Sequence, residues 1–185
     1  IEIFGIRHTD TIARTPVSFL PERFVPPYYL TGRDFLSYMA KLDGGGFDEA
    51  RVVARFAMLD LALSVLDKPV RLLSKGMTQK LGLAACLLSN KRLLILDEPL
   101  SGLDPRARSH LKAQIMELKH EGKTVFFTSH ALADVEELAD TMALLHDGKL
   151  KFHGTPAALR ARYSSSGAID LEKAFLHCIE EPSPA

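Results

Sequence analysis

Two adjacent carboxylates, Asp97 and Glu98, follow directly after four consecutive apolar residues at positions 93–96. Four apolar residues are too few for a buried helix, and they are typical of a parallel strand that is covered on both faces. Acidic groups at the carboxyl end of such a strand lie where open α/β sheets bind their ligands. Asp97 could hold Mg²⁺ against phosphate oxygens, and Glu98 could orient or deprotonate a water molecule. Taken alone, the pair could also be a solvated acidic turn.

A second candidate site lies where residues 74–76 precede an apolar helix that we predict over residues 81–88. Ser74 and Gly76 offer a hydroxyl group and backbone N–H groups, and the helix offers the positive end of its dipole. Lys75 adds a positive charge. The segment therefore has the chemistry of an anion site. An ordinary helix N-cap is the alternative, and it is the simpler interpretation of this segment by itself.

Two further polar residues follow predicted strands. Glu22 comes shortly after an apolar strand at residues 17–20, and His130 comes shortly after a strand at residues 125–128. A histidine at the carboxyl end of a strand could reach a ligand at the same edge of the sheet. It could also cap the helix that we predict over residues 132–138. Glu22 could likewise be an exposed loop acid.

The bulk composition is that of an ordinary globular protein, and 185 residues are enough for one domain with a core. Lys and Arg number 23, as do Asp and Glu, so the formal net charge is zero. This balance gives no support to a nucleic-acid partner held by bulk charge. Cys86 and Cys178 belong to no CxxC pair, so we expect two reduced thiols in a cytosolic protein. No apolar run approaches the roughly 18 residues that would span a bilayer.

The first part of the chain is predicted to place helices between strand-rich segments. Residues 1–4 alternate apolar and polar side chains and then turn at Gly5, as an antiparallel edge strand does. Thr31 is a suitable N-cap for the first helix. The predicted helices cover residues 32–42, 47–59 and 62–66. Residues 23–70 therefore form a helical insert.

The second half of the chain is predicted to alternate helices with strands. The predicted elements are a helix over residues 106–118, a hairpin of residues 141–145 and 149–152 that turns at residues 147–148, helices over 157–163 and 171–179, and a linker at 164–167. Residues 122–124 read Gly-Lys-Thr and resemble the end of a phosphate-binding loop. Glu117 stands where that loop has a glycine, and a helix precedes the triplet where the loop follows a strand. We therefore predict a helix–strand turn there.

Two of the polar segments resemble motifs of the ATP-binding-cassette (ABC) ATPase family. Residues 93–99 are similar to the Walker B strand of this family. Residues 73–77 read LSKGM and resemble the family signature, which is usually LSGGQ. Lys75 and Met77 depart from the common form, although exporter-type members use versions like LSKGM.

The remaining segments extend the resemblance over almost the whole chain. Residues 101–104 resemble the D-loop, and His130 resembles the switch histidine. Residues 19–22 resemble the Q-loop, with Glu22 where glutamine is usual. Because the motifs occur in the family's order and spacing, they are jointly more specific than any one of them.

The resemblance implies an α/β fold, namely a P-loop NTPase (RecA-like) core with a helical subdomain insert and with its N-terminal part missing. It implies that Asp97 holds Mg²⁺ through water, that Glu98 is the catalytic base and that His130 contacts the γ-phosphate of ATP. It further implies nucleotide contacts from Ser74, Lys75, Gly76, Met77 and Asp104, and a contact of Glu22 with Mg²⁺ and water.

The resemblance also implies one truncated ATPase domain over residues 1–185. Its parts are strands leading to the Q-loop at residues 1–22, the helical subdomain at 23–70, the motif-bearing core at 71–163, and a C-terminal linker and helix at 164–185.

The function implied is that of the ATP-binding and ATP-hydrolysing subunit of a membrane transporter, an exporter in particular. Such a subunit forms a head-to-tail dimer with a second ABC ATPase domain, contacts a transmembrane permease subunit, and lies at the cytoplasmic face of the membrane without binding nucleic acid. One alternative is a soluble ABC-type ATPase that acts on the ribosome or on DNA. Another is a non-catalytic fragment that cannot bind ATP alone.

The phosphate-binding Walker A loop of the family, and the aromatic residue that stacks on adenine, would lie before Ile1. We therefore expect the 185 residues to be N-terminally incomplete. Because the Walker A loop supplies most of the phosphate contacts, we also expect the chain by itself to bind nucleotide weakly or not at all.

Overall fold

The computed structural model describes residues 1–163 and 170–181. The chain divides into two compact units, Ile1–Thr128 and Ser129–Ala185, which we call the first and the second unit. The linker that the sequence predicts at residues 164–167 lies outside the described residues.

The first unit begins with a short antiparallel hairpin. Strands β1 (Glu2–Ile3) and β2 (Ile6–Arg7) pair around a turn in which Gly5 has a φ of +80°. Glycine adopts this left-handed conformation without the steric cost of a Cβ atom. The predicted antiparallel strand that turns at Gly5 is confirmed.

The central sheet of the first unit has three parallel strands in the order β3-β4-β5. Strand β3 is Val17–Leu20, β4 is Leu93–Leu96 and β5 is Thr124–Phe127. The register pairs Leu20 with Leu96 and Leu96 with Phe127. The three predicted strands are confirmed, with β5 beginning one residue earlier than expected.

One face of this sheet is covered much better than the other. Leu20, Leu94 and Leu96 are buried, whereas Phe19 and Phe126, which flank Ile95 in one row, are each 58% exposed. The prediction that residues 93–96 are covered on both faces is therefore wrong for the described residues. The reason lies in the topology. Because the strands follow one another in one direction and crossovers are right-handed, the connecting helices pack on the same face.

Two helices form the segment between β3 and the signature-like motif. Helix α1 is Gly32–Leu42, and Thr31 and Asp34 form a reciprocal capping box at its start. Helix α2 is Glu49–Met58, which is shorter at both ends than the predicted helix because Asp48 acts as its N-cap. Residues 62–66 form a single 3-10 turn, Leu63–Val65, instead of a helix. Residues 23–70 thus contain two α-helices, and their assignment as a helical subdomain stays a prediction.

Gly32, at the start of α1, packs directly against the backbone of the 3-10 turn. A Cβ atom built there would lie 2.5 Å from the carbonyl oxygen of Val65. We therefore expect Gly32→Ala to lower the free energy of unfolding by about 1–3 kcal/mol, since a backbone atom has to move. Gly46→Ala is the matched control, because its Cβ would meet no atom within 4 Å. Chemical denaturation checks both, and equal losses would contradict the expectation.

Two longer helices pack on the covered face of the sheet. Helix α3 is Lys75–Leu88, and helix α4 is Pro105–His120. Helix α3 was predicted to begin at residue 81, and this is wrong by six residues. The first turns of α3 are polar, so the apolar pattern begins only later in the helix. Its actual start is at Ser74, which is the N-cap. A Cβ atom at Gly82 would lie 2.7 Å from the Leu20 side chain, so this glycine permits α3 to lie close to β3.

The second unit combines a hairpin with three helices around its own small core. The elements are α5 (Leu132–Leu138), β6 (Met142–His146), β7 (Lys149–Gly154), α6 (Pro156–Tyr163) and α7 (Leu171–Glu180). Strands β6 and β7 are antiparallel, and Asp147 and Gly148 both have positive φ at the turn, as two-residue hairpins require. The core contains Leu144, Leu159, Leu171, Ala174 and Cys178. The predicted hairpin and helices are confirmed.

Cys86 and Cys178 are both free and buried. Burial raises the pKa of the Cys86 thiol to about 11, so the thiol stays protonated at neutral pH. In the part of the chain that the structure describes, no helix has the length and apolarity to cross a membrane.

Candidate functional site

The polar segments of the first unit leave the parallel sheet at one edge. The last residues of the three strands lie side by side; they are Leu20, Leu96 and Phe127. From this edge the chain continues to Glu22 after β3 and to Asp97 after β4. Glu22 is exposed, two residues beyond β3. The structure therefore places both acids at the edge where parallel sheets bind ligands.

The hydroxyl group of Thr128 joins the two carboxylate residues. It donates a hydrogen bond to Oδ1 of Asp97 over 2.6 Å and accepts one from the backbone N–H of Glu98 over 2.9 Å. Backbone hydrogen bonds extend the ladder around it, since the N–H of Thr128 donates to Leu96 and that of Asp97 donates to Leu20. One side chain thus fixes the position of Asp97 and the backbone of Glu98.

Thr128 is not among the site residues predicted from the sequence, in which residue 128 is only the end of a predicted strand. The available signal was a hydroxyl residue at the carboxyl end of the neighbouring strand. That signal becomes specific only once the register of β4 and β5 is known.

Glu98 adopts a backbone conformation that is unfavourable for its type. Its φ is +49°, in the left-handed region that residues with a Cβ atom rarely occupy. Such a conformation costs on the order of 1–3 kcal/mol and persists where the surroundings impose it. Here the Thr128 hydroxyl holds the N–H of Glu98, and its carbonyl accepts a hydrogen bond from Ser101. Strain of this kind concentrates at functional sites, which supports a chemical role for Glu98.

Asp97 is suited to hold one divalent cation jointly with a phosphate ligand. Its hydrogen bond from Thr128 occupies part of the capacity of one carboxylate oxygen and leaves further lone pairs. Mg²⁺ typically takes only one or two protein carboxylates and completes its octahedron with water and phosphate oxygens. Within residues 1–163 and 170–181, no three or more His, Cys, Asp and Glu side chains gather as a metal site. The residues present fit Mg²⁺ bound with a nucleotide better than a cage made of protein alone.

The signature-like segment forms the first turn of α3. Ser74 is the N-cap, and its hydroxyl oxygen accepts a hydrogen bond from the N–H of Met77 over 3.2 Å. Lys75 and Gly76 are therefore helical residues, and Ser74 is an N-cap. Because the Ser74 hydroxyl can still donate a hydrogen bond, an anion contact of this segment stays a prediction. A Cβ atom at Gly76 would meet no atom within 4 Å, so a ligand or partner has room to approach the backbone there.

Asp104 caps helix α4 and pairs with a lysine of α3. Its Oδ1 accepts a hydrogen bond from the N–H of Ala107 over 2.9 Å, and its Oδ2 lies 3.0 Å from Nζ of Lys80. The backbone hydrogen bond from Ala107, followed by the Lys80 interaction, lowers the pKa of Asp104 to about 2. Both oxygens already have partners in the chain, so a nucleotide contact of Asp104 stays a prediction.

Asp104 should make the stability of the first unit depend on acid pH. A carboxyl group whose pKa is lowered by folding stabilises the protein above its unfolded pKa, near 4, and loses that contribution as the pH falls towards its folded pKa of about 2. Asn at this position can still cap the helix but carries no charge. We expect the stability difference between the wild-type chain and Asp104→Asn to shrink as the pH falls from 4 to 2. Urea denaturation at several pH values measures it, and a constant difference would contradict this account.

His130 belongs to the second unit and is its second residue. The N-cap residue of α5 is Ala131, whose own side chain makes no capping hydrogen bond. His130 therefore does not occupy the N-cap position, and the Ser129 hydroxyl oxygen accepts a hydrogen bond from the N–H of Ala131. His130 is exposed, two positions after Thr128 along the chain. Its contact with a γ-phosphate stays a prediction.

Residues 66–133 match a protein-family model that is described as "AAA domain, putative AbiEii toxin, Type IV TA system". An uncharacterized ABC transporter ATP-binding protein of Synechocystis is 39% identical over 151 residues, covering 80% of this chain and 43% of the relative. The bacitracin transport ATP-binding protein of Enterococcus faecalis is 40% identical over 161 residues, which cover 81% of this chain and 49% of that relative. The chain thus spans a little under half the length of these relatives.

Solved structures give the same result for the fold. The ATP-binding subunit of an ABC transporter superimposes with a TM-score of 0.81 at 29% identity, covering 96% of this chain and 75% of that one. An ATP-binding cassette solved as a dimer with ADP and Pi superimposes with a TM-score of 0.72 at 19% identity. The match covers 83% of this chain and 72% of that one. At that identity the second likeness shows the fold alone.

Proposed function

The chain belongs to the ATP-binding-cassette ATPase family, and on that basis we propose that it serves as the ATP-hydrolysing subunit of a membrane transporter that exports its substrate. The observation that carries this proposal is the Thr128 hydroxyl, which holds Asp97 and the strained Glu98 together at the carboxyl end of a parallel sheet. One acid is thereby available for a cation and its neighbour for a water molecule.

The hydrolytic step uses these two acids differently. Asp97 would hold Mg²⁺ through water, and the ion when bound neutralises charge on the phosphate oxygens of ATP. Glu98 orients the attacking water and accepts its proton. The hydrogen bond from the N–H of Glu98 to Thr128 holds the backbone from which this carboxylate extends. Glu22 is proposed to contact Mg²⁺ and its water. Separately, His130 is proposed to contact the γ-phosphate of ATP.

The signature segment is proposed to act on the nucleotide of a second ATPase domain. The N-terminus of α3 presents backbone N–H groups at Lys75 and Gly76 that have no acceptor within the helix, with the charge of Lys75 beside them. These groups suit a γ-phosphate that the phosphate site of the partner domain holds. ATP then joins the two domains head to tail, and hydrolysis releases them.

The helical insert is proposed to contact the transmembrane permease subunit. Tyr28 and Tyr29 of the insert are each 67% exposed, and Leu72, two residues after its end, is 66% exposed. A backbone hydrogen bond from Arg71 to the carbonyl of Tyr28 holds the two segments side by side. Exposed aromatic and apolar side chains on an ordered backbone are typical of a protein interface. In the proposed role, the subunit would bind the permease from the cytoplasmic face of the membrane.

Phosphate release from ATP, with and without Mg²⁺, tests the proposal on the protein at its natural length. We expect turnover that EDTA abolishes, and co-purification with a membrane protein. The 185 residues contain no G-x-x-x-x-G-K-[ST] sequence, so the isolated chain is expected to show weak or undetectable Mg-ATP binding by calorimetry. Absence of turnover in the protein at its natural length would reject the ATPase role, and retention on RNA or DNA would favour a soluble ATPase of the other class.

A further inference from the structure

Lys80 connects three segments of the first unit. It lies on α3, six residues after Ser74, and its side chain is only 12% exposed. Its Nζ lies 3.0 Å from Oδ2 of Asp104 and donates a second hydrogen bond, over 3.3 Å, to the carbonyl of Asp60. Lys80 is well covered, whereas the Asp104 side chain is 46% exposed, so solvent screens this ion pair in part. Lys80 therefore links the segments through one partly screened ion pair and one hydrogen bond.

The first of these links fixes the turn that leads into α4. Asp104 is held on both sides, since one oxygen caps α4 at Ala107 and the other pairs with Lys80. Ser74 lies six residues, or about 9 Å, from Lys80 along the axis of α3. The start of α3 and the start of α4 are consequently tied to each other by one ion pair.

The second link reaches the end of the helical insert. Asp60 follows α2 with a φ of +50°, and Lys80 satisfies its carbonyl oxygen. Helix α4 also binds this end of α2, since Nδ1 of His110 donates a hydrogen bond to the carbonyl of Met58 over 2.8 Å. The three helices thus converge around the Lys80 ammonium group.

We propose that Lys80 is a positioning residue that makes the Ser74 turn and the Asp104 turn move as one body, so that both reach the nucleotide of the partner domain together. This inference rests on the proposed function, because it presupposes a dimer closed by ATP. Lys80 touches no nucleotide in this account and acts through Asp104. Motion of the helical insert is transmitted to both turns through the carbonyl of Asp60.

Four variants at natural length isolate the role of this lysine. Lys80→Met removes the charge, Lys80→Arg keeps it, and Asp104→Asn removes the partner charge while it keeps a helix cap. Lys91→Met is the matched control. Its ion pair with Asp43 is also 3.0 Å long and well covered, at 19% and 21% exposure, but it links the ends of α1 and α3 remote from Ser74 along the chain. It should lower stability without acting on the two turns.

ATP-induced dimerisation in a Glu98→Gln background, and steady-state hydrolysis in the native background, are the two readouts. We expect Lys80→Met to weaken dimerisation and to lower kcat by roughly 3- to 30-fold with little change in KM for ATP. Lys80→Arg should restore most of both, and Lys91→Met should change neither. If Lys80→Met fails to fold, Asp104→Asn still tests the inference, since normal dimerisation and kcat in a variant that lacks the partner charge of Lys80 would overturn it.

Three results would overturn the inference. They are normal dimerisation and kcat in Lys80→Met and Asp104→Asn, equal losses in Lys91→Met, and failure of Lys80→Arg to restore either readout while it folds normally. Failure of the proposed function looks different, because the parent protein would then neither hydrolyse ATP nor dimerise with it. That result would remove the inference as well.

Discussion

Glu98→Gln is expected to lower the kcat for ATP hydrolysis by at least about 100-fold in the protein at its natural length, while ATP binding persists. General-base catalysis typically contributes a factor of about 10²–10⁴, and glutamine cannot accept the proton of the attacking water. The substitution preserves the size of the side chain. It also leaves the backbone N–H of residue 98 available to Thr128, so the strained turn should survive.

Phosphate release and equilibrium ATP binding, measured on the same preparation, check this expectation. Glu2→Gln serves as the matched control, because Glu2 is an exposed acid on β1 that has no part in the site. A variant that binds ATP normally and turns over at the wild-type rate would remove Glu98 from the role of base. Loss of both binding and turnover would instead indicate that the turn had collapsed.

The strands and the first helix of the insert were predictable because local signals determine them. Apolar runs that stop at polar residues or at proline specify strands such as β4, and Thr31 with Asp34 specifies the start of α1. The start of α3 was not predictable in this way. Gly76 and Thr78 have low helix propensity, and the cap at Ser74 outweighs them only together with the packing of α3 against β3.

The geometry of the site depended on long-range pairing, which a single sequence does not encode locally. Asp97 and Glu98 were identifiable as candidates from their position after an apolar run. Thr128 was not, because its hydroxyl reaches them only through the register of β4 with β5, 31 residues apart along the chain. The exposure of Phe19 and Phe126 has the same origin, since which face the helices cover follows from strand order and crossover handedness.

Asp97→Asn is expected to abolish the Mg²⁺ dependence of hydrolysis and to lower kcat by about 10²–10³-fold, because a bound metal ion contributes several kcal/mol to the stabilisation of phosphoryl-transfer charge. The amide oxygen of the introduced asparagine can still accept the hydrogen bond from Thr128, so the fold of the turn should persist. Unlike Glu98→Gln, this variant should also bind ATP less tightly in the presence of Mg²⁺ than the parent does. The two acids are thereby separable by binding as well as by turnover.

Thr128→Ser is the control that separates the role of the Asp97 carboxylate from the role of the Thr128 side chain that holds it. Serine retains the hydroxyl group that donates to Asp97 and accepts from Glu98, so its kcat should stay within a few fold of the wild-type value. Titration of ATP with and without Mg²⁺, together with phosphate release over a range of Mg²⁺ concentrations, distinguishes the variants. If Asp97→Asn kept the Mg²⁺ response of the wild type, the ion would have to be held by other residues, and the strand end at Asp97 would have only a structural role. If Thr128→Ser lost as much activity as Asp97→Asn, the methyl group of Thr128 would matter more than its hydroxyl, and the bridge between the two acids would not be what organises this site.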